Sequence, residues 1–505
     1  MKKITVLVVL GAGLLFCSAF PLGAEMNVLD TQSFQLTFSP YLRTDGIILK
    51  NTVGLDSKNK DDSSAYMGID YSLGFDLKLK EVDSEAYLLL ERNGPFDYDA
   101  PVFIHNTLVT SIAPVERYRG KELLPHIEEA WYDLPVAALS SRLKAGLFAY
   151  QEGHDVASPS DYENVSVSLY EERENLSWRF YYCRPDLANK SFLGPRIRQE
   201  REQGIHYTPN AANFFAANAV WTQGHAAWQP YAQVLLDRSG KRGNLFSTPT
   251  RDDVLGTIGL AWNLDLEPWS LGIEGARNVG RAKSSDPDFK DVAHCGYLIY
   301  ADASVRMNRW TPHFRSVVAS GNKVTTDMAA DATYTSGKNR AFSVYSPVNT
   351  NLSYSIYPKP ESMPLVAMGG GSGLNYGIAR PTTFSDPYLF DNLVLFCLGT
   401  GYHLTEKLSV GADWWYLRSM ERGVGTYAGD AFLLSPDLGH ELDFNIAYQL
   451  SKDITLDLLA GYFLPGRFYR QERDDTAGSL FTPFVRGDGE ADPAYQIELS
   501  LTFQY

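Results

Sequence analysis

"AYQIELSLTFQY", residues 494–505, decides the fold. Tyr495, Ile497, Leu499, Leu501, Phe503 and Tyr505 share one parity, while Gln496, Glu498, Ser500, Thr502 and Gln504 share the other. Alternation with period two means a β-strand whose faces meet different surroundings. A soluble sandwich would set the apolar face against a second sheet. A membrane barrel would set it against lipid, with the other face toward a watery lumen. One strand fits both, so the rest of the chain must choose.

The opening residues, "MKKITVLVVLGAGLLFCSAFPLGAE", pair a basic start (Lys2, Lys3) with an apolar core and a small-residue exit at Leu22-Gly23-Ala24. That is the pattern of a secretory signal peptide over 1–24. Residues 25–505 hold no second long apolar run, no linker-like composition shift and no fixed-period repeat. They are expected to form a single domain. Cys183, Cys295 and Cys397 lie far apart with no paired spacing, which argues against zinc, redox and haem sites. A net charge of −15 disfavours nucleic acid as a partner. No nucleophile elbow or zinc-helix motif appears, so no catalytic residue, metal or cofactor is expected and the chain does not read as an enzyme.

Alternating segments recur along the chain. Most meet in pairs across a short joint, as "YSLGFDLKL" and "EAYLLLER" do, or "FFAANAVWT" and "WQPYAQVLLD" across "QGHAA". Eight such hairpins, with a lone first strand at 33–42 and a lone last one, predict about 18 strands, within a range of 16–20. Two further segments, 101–112 and 203–209, could be strands too. The connections between hairpins are long and polar, the longest at about 320–388. Short periplasmic turns and long extracellular loops with an even strand count define an all-β, transmembrane antiparallel β-barrel of the cell outer membrane of a Gram-negative bacterium. The nine tryptophans fall in or beside these strands, mostly near short turns, as an interfacial girdle would place them. The last strand is then expected to close the ring against the first, removing both sheet edges. Phe503 and Tyr505 also resemble the C-terminal signal read by the outer-membrane assembly machinery.

At 437–471, "DLGHELDFNIAYQLSKDITLDLLAGYFLPGRFYRQ" places Gly439, Glu441, Asp443, Tyr448, Gly461, Tyr462, Pro465 and Gly466 in a spacing that resembles the final hairpin of the alginate-export family of outer-membrane porins. "TPHFRSVVASGNK" is similar to that family's Ala-Ser-Gly-Asp strand exit, with Asn322 in place of the Asp. "EEAWYDL" and "LKAGLF" resemble its Glu-x-Ala-Tyr strand and Gly-Arg-Gln, with Leu147 and Phe148 in the Arg-Gln places. The resemblance implies an 18-stranded barrel conducting a solute across the outer membrane. The missing arginine leaves alginate itself unsecured.

Parity predicts the lumenal side chains: Arg142, Lys144, Arg179, Arg306, His313 and Arg315 among the bases, and Glu129, Glu441 and Asp443 among the acids. Each could serve a solute or merely neutralise a cross-strand neighbour. Arg142, Lys144 and Arg179 form the densest basic group and predict a constriction favouring anions. Two functions follow. One is a porin passing a small hydrophilic or polyanionic solute by diffusion. The other is a barrel sheathing a separate periplasmic or cytochrome partner in an electron-conduit complex. The loop at 320–388 is expected to act as a lid or constriction.

Overall fold

A computed structural model describes residues 26–51, 55, 57, 63–92, 103–104, 107–108, 126–148, 153–154, 165–184, 212–238, 250–284, 290–323, 337–342, 364, 366, 392–428, 430–472 and 489–504. The signal peptide at 1–24, the segment 203–209, Tyr505 and most of the 320–388 loop lie outside these residues. Of residues 101–112, those described are Phe103–Ile104 and Thr107–Leu108, which pair with each other apart from the main sheet.

Eighteen antiparallel strands form one closed ring. They are β1 Phe34–Lys50, β2 Ser63–Leu79, β3 Ser84–Arg92, β4 His126–Val136, β5 Ser141–Leu147 and β6 Val165–Glu172. Next come β7 Leu176–Cys183, β8 Ala212–Gln223, β9 Ala226–Asp237, β10 Thr250–Leu266, β11 Trp269–Ser284 and β12 Tyr297–Val305. The ring finishes with β13 Trp310–Ala319, β14 Leu393–His403, β15 Leu408–Ser419, β16 Asp437–Ser451, β17 Ile454–Pro465 and β18 Ala494–Gln504. Each strand pairs with its sequence neighbour, and β18 pairs with both β17 and β1, Leu501 lying between Leu456 and Thr44. All eight expected hairpins are present. β1 runs past its expected end at 42 to Lys50, and the added residues pair with both β18 and β2.

Short joints at 80–83, 137–140, 173–175, 224–225, 267–268, 306–309, 404–407 and 452–453 share one end of the barrel. Turn chemistry explains their tightness. Gly224, at φ +60, opens a two-residue turn in a conformation that side chains resist.

Period-two patterning sorts the strands into two faces. Ile258, Ile273, Ile299, Leu398, Phe444 and Ile497 all point outward and are exposed. Seven tryptophans join them: Trp178, Trp221, Trp228, Trp262, Trp269, Trp310 and Trp414. Trp221, Trp228 and Trp262 lie abreast on three strands near the short turns, with 5.8 Å between the last two rings. Trp131 and Trp415 depart from the girdle. They share the inward parity, and Trp415 is 1% exposed.

The inner face is not uniformly polar. Toward the long-connection end, inward Leu298, Tyr300, Val317, Leu395, Cys397, Trp415, Leu417 and Phe463 form one apolar core with Leu55, Phe342, Val366, Leu434, Phe468 and Tyr469 from the connections. Parts of the connections therefore fold into the mouth and pack there as a soluble core would. A smaller cluster joins Phe148, just past β5, to Tyr181, Cys183, Phe214, Leu235 and Leu255 on β7–β10. The three cysteines occupy separate positions and none is bridged.

Candidate functional site

β4, β5, β6 and β7 bring the basic group together. Arg142 on β5 stands opposite Tyr170 on β6, which stands opposite Arg179 on β7. Lys144 stands opposite Asp133 on β4. Arg142 Nε donates to Asp133 Oδ1 at 2.6 Å and Nη1 to Asp83 Oδ2 at 2.8 Å. Tyr170 donates its hydroxyl to the other Asp133 oxygen at 2.5 Å. Arg142 is thus committed to two carboxylates.

Lys144 is held differently. Its Nζ lies 3.6 Å from the Trp131 ring centroid and 4.9 Å from that of Phe148. A ring face attracts an ammonium without cancelling its charge. The Trp131 indole N–H meanwhile donates to Glu129 at 2.9 Å. Arg179 sits over the Tyr170 ring at 5.2 Å, with Glu172 at 4.0 Å, the outer limit of an ion pair. Lys144 and Arg179 therefore present positive charge to the lumen, and Arg142 mostly organises its neighbours.

Six strands further round, the wall turns acidic. Glu274 on β11, Asp302 on β12, Asp413 on β15, and Glu441 and Asp443 on β16 all share the inward parity. Arg315 stands opposite Asp302, and Asp413 opposite Asp443. His313 Nε2 and Asp413 Oδ1 are 2.7 Å apart.

A segment from the connection after β5 is tied to the acidic wall. After β5, Gly153 and His154 reach β11, where the His154 backbone N–H donates to Glu274 Oε2 at 2.6 Å. Tyr231 donates its hydroxyl to the other Glu274 oxygen at 2.5 Å. The His154 ring packs on Tyr300, centroids 4.9 Å apart. Gly153 has φ +62, and a Cβ there would lie 2.6 Å from the Glu274 carboxylate. Only glycine brings the backbone this close. Gly153 and His154 thus pack against the inner side of β11 and β12. A second tie comes from the 320–388 connection: the Val366 N–H donates to Glu441 Oε1 at 2.5 Å, and Glu441 is fully buried.

The remaining expected residues divide. His313, Arg315, Glu129, Glu441 and Asp443 lie on the inward register of their strands. Arg306 does not: it lies just past the end of β12 at the short-turn mouth, 75% exposed, with Glu267 at 3.8 Å. Its parity was extended one residue beyond the strand. Phe503 lies on the outward register between Leu42 and Ile454. Tyr505 is outside the described residues.

Two features escaped sequence reasoning. Arg43 on β1 bonds Asp45 at 2.7 Å, Glu498 at 2.5 Å and Ser500 at 3.1 Å across the closing seam. The expected first strand ends at Leu42, one residue short of Arg43. Also, among the described residues, donor atoms of His313, Cys397 and Asp413 lie within 4.8 Å of one another and could hold a metal ion. Their separation in sequence gives no motif; only the register of β13, β14 and β15 assembles them.

No protein-family model matches the chain, and no curated protein matches it. Solved structures do. OccK2 (OpdF) of Pseudomonas aeruginosa is similar at a TM-score of 0.48 and 10% identity, over 93% of this chain and 97% of that one. OccK2 in complex with glucuronate gives a TM-score of 0.47 and 10% identity, over 93% and 96%. OpdK of the same organism with vanillate gives 0.47 and 10%, over 93% and 98%. Likeness this remote carries no solute from those proteins to this one.

Proposed function

We propose that the chain is an outer-membrane channel that passes small hydrophilic solutes by diffusion. The apolar outer face and the closed ring suit a bilayer, where every backbone group must pair within the sheet. The observation that carries the channel reading is the inner face of the closed ring, which sets the cations Lys144 and Arg179 on one arc and the acids Glu274, Asp302 and Asp413 on another. An anionic group passing through meets Lys144 and Arg179, and the far wall favours the solute's neutral or cationic part. Weak, paired sites of this kind let a solute enter and leave.

Alginate export is the less favoured form of this reading. A polyanion would need a continuous basic path, and Glu274, Asp302, Asp413 and Asp443 interrupt it. The sheath alternative needs room for a whole inserted partner, yet Gly153, His154 and Val366 from the chain's own connections already pack against the inner wall.

Single-channel recording in planar bilayers tests the proposal. Wild-type protein should give discrete openings, and Glu274→Ala, which frees His154, should give larger and noisier ones. A correctly inserted wild-type barrel that never conducts would sink the channel reading.

A further inference from the structure

The outer surface carries a second organised site, at the long-connection end of β11 and β12. Above the top of β12, the short strand Val292–His294 continues along β11, Ala293 opposite Arg281. The pair Lys338–Asn339 then lies parallel to it, Ala293 opposite Lys338 and His294 opposite Asn339. Alternation turns Asn339 inward, where it is fully buried, and Lys338 and Arg340 outward, where both are exposed.

This fragment is held firmly. The Ala293 N–H donates to Gly337 O at 2.9 Å and the Cys295 N–H to Asn339 O at 2.8 Å. Asn322 donates through Nδ2 to Asn339 Oδ1 and accepts from the Arg340 N–H through Oδ1, both at 2.7 Å. The Ser320 hydroxyl donates to Arg340 O at 2.7 Å, and Phe342 anchors the end inside the apolar core. Two side chains of one sign are thereby fixed on one face of a rigid edge.

Arg277, on the outward parity of β11, stands directly opposite Tyr297. With Lys338 and Arg340 these line a cavity of about 350 Å³, floored by Tyr297 and Met420 and bearing Glu421 as the one acid among the described residues. Among the described residues the lining carries three cations and one carboxylate, a balance that suits an anion.

Its height identifies the anion. Climbing β11 on the outward parity, the chain reads Trp269, Leu271, Ile273, Gly275 and then Arg277. Eight residues at ~3.4 Å each, tilted about 40°, place Arg277 roughly 21 Å above the tryptophan level. The apolar band of such a barrel is about 25 Å tall, so Arg277 stands near its upper edge. Exposed Ile273 and Ile299 lie below it, and exposed Ile258 stands opposite Arg277 on β10.

We propose that this pocket binds the phosphate headgroup of an acidic lipid in the leaflet at the long-connection end, the acyl chains lying down the Ile299 and Ile273 columns. The site rests on the membrane-barrel reading. Arginine and lysine fixed around a phosphate form charge-assisted bonds, and the apolar column below confines the headgroup to this height.

Binding to delipidated, folded barrel tests this by native mass spectrometry, with lipid A, enzymatically dephosphorylated lipid A and inorganic phosphate as probes. Lipid A should bind saturably, dephosphorylated lipid A at least about tenfold more weakly, and inorganic phosphate should not compete at millimolar concentration. The triple change Arg277→Gln, Lys338→Gln and Arg340→Gln should remove the phosphate-dependent difference while leaving single-channel conductance unchanged. Arg340→Lys, which keeps the charge, should retain most of it and guards against misfolding as an explanation. Equal binding of both lipids, or an unaltered triple variant, would overturn the site. Full competition by inorganic phosphate would overturn the lipid in favour of a free anion. A barrel that binds lipid A in this manner but fails to conduct would leave the site standing and remove the channel reading alone.

Discussion

Lys144 and Trp415 share an inward parity but not an environment. Lys144, three residues above a short turn, rests on two aromatic faces with its charge toward water. Trp415, seven residues above another, is sealed among Leu395, Cys397, Leu417 and side chains from the connections. Parity therefore assigns a residue to a side of the wall, and height along the strand decides whether that side is wet. Where the connections fold back, the lumen becomes an ordinary protein core, and substitutions should cost what they cost in such cores.

The difference is most severely tested by deleting 326–384. From the sequence this segment looks like a dispensable lid. In the structure it supplies Phe342 and Val366 to the core, so its loss should lower stability by several kcal/mol, on the order of 3–8, as two buried apolar side chains are removed. Conductance should rise at the same time. Equilibrium unfolding in detergent and bilayer recording read the two effects, and an undiminished stability would detach the segment from the barrel.

Trp415→Ala should cost about 3–5 kcal/mol, against about 1 kcal/mol or less for Lys144→Ala. Similar unfolding midpoints for the two would erase the distinction between the sealed and wet regions.

The outer boundary gives a further contrast. Leu398→Arg places a charge on the exposed apolar face and should cost about 2–4 kcal/mol, while Thr311→Arg, inward and near the short-turn mouth, should cost far less. Ser500 is a poor inward control, because it is buried beside Arg43 and Glu498.

The smallest effect expected is one of selectivity. Lys144→Gln and Arg179→Gln together should move the reversal potential toward cations, most clearly at low salt. Arg142→Gln alone should do little to it, since Asp83 and Asp133 already hold that guanidinium. A larger response from Arg142 than from the pair would reverse the roles assigned to them.

Much of this was legible in the chain. All eight hairpins and the closing strand follow from alternation, because one face must be apolar along its whole length. The sealed inner region was not, because Leu393, Leu395 and Cys397 alternate with Val394, Phe396 and Leu398, and a strand apolar on both faces does not say what covers each. Trp131 and Trp415 were assigned to the girdle for the same reason. The basic cluster was legible because its strands are neighbours in sequence. The His154–Glu274 tie was not, since a backbone donor leaves no mark on composition and its acceptor lies 120 residues away.

The seam between β1 and β18 has a kinetic consequence. Every other neighbouring pair in the ring is consecutive along the chain, whereas Arg43 and Glu498 are separated by 455 positions. Bringing such ends together costs about 3 kcal/mol more chain entropy than closing a ten-residue hairpin. Contacts this remote form slowly. Closure should thus be the final, rate-limiting event, and an arrested intermediate should carry seventeen strands' worth of satisfied neighbours and two bare edges. The Arg43–Asp45–Glu498 cluster then acts as a latch, made only when the ring is complete. Its removal should hasten reopening while leaving the earlier hairpins to zip at their usual pace.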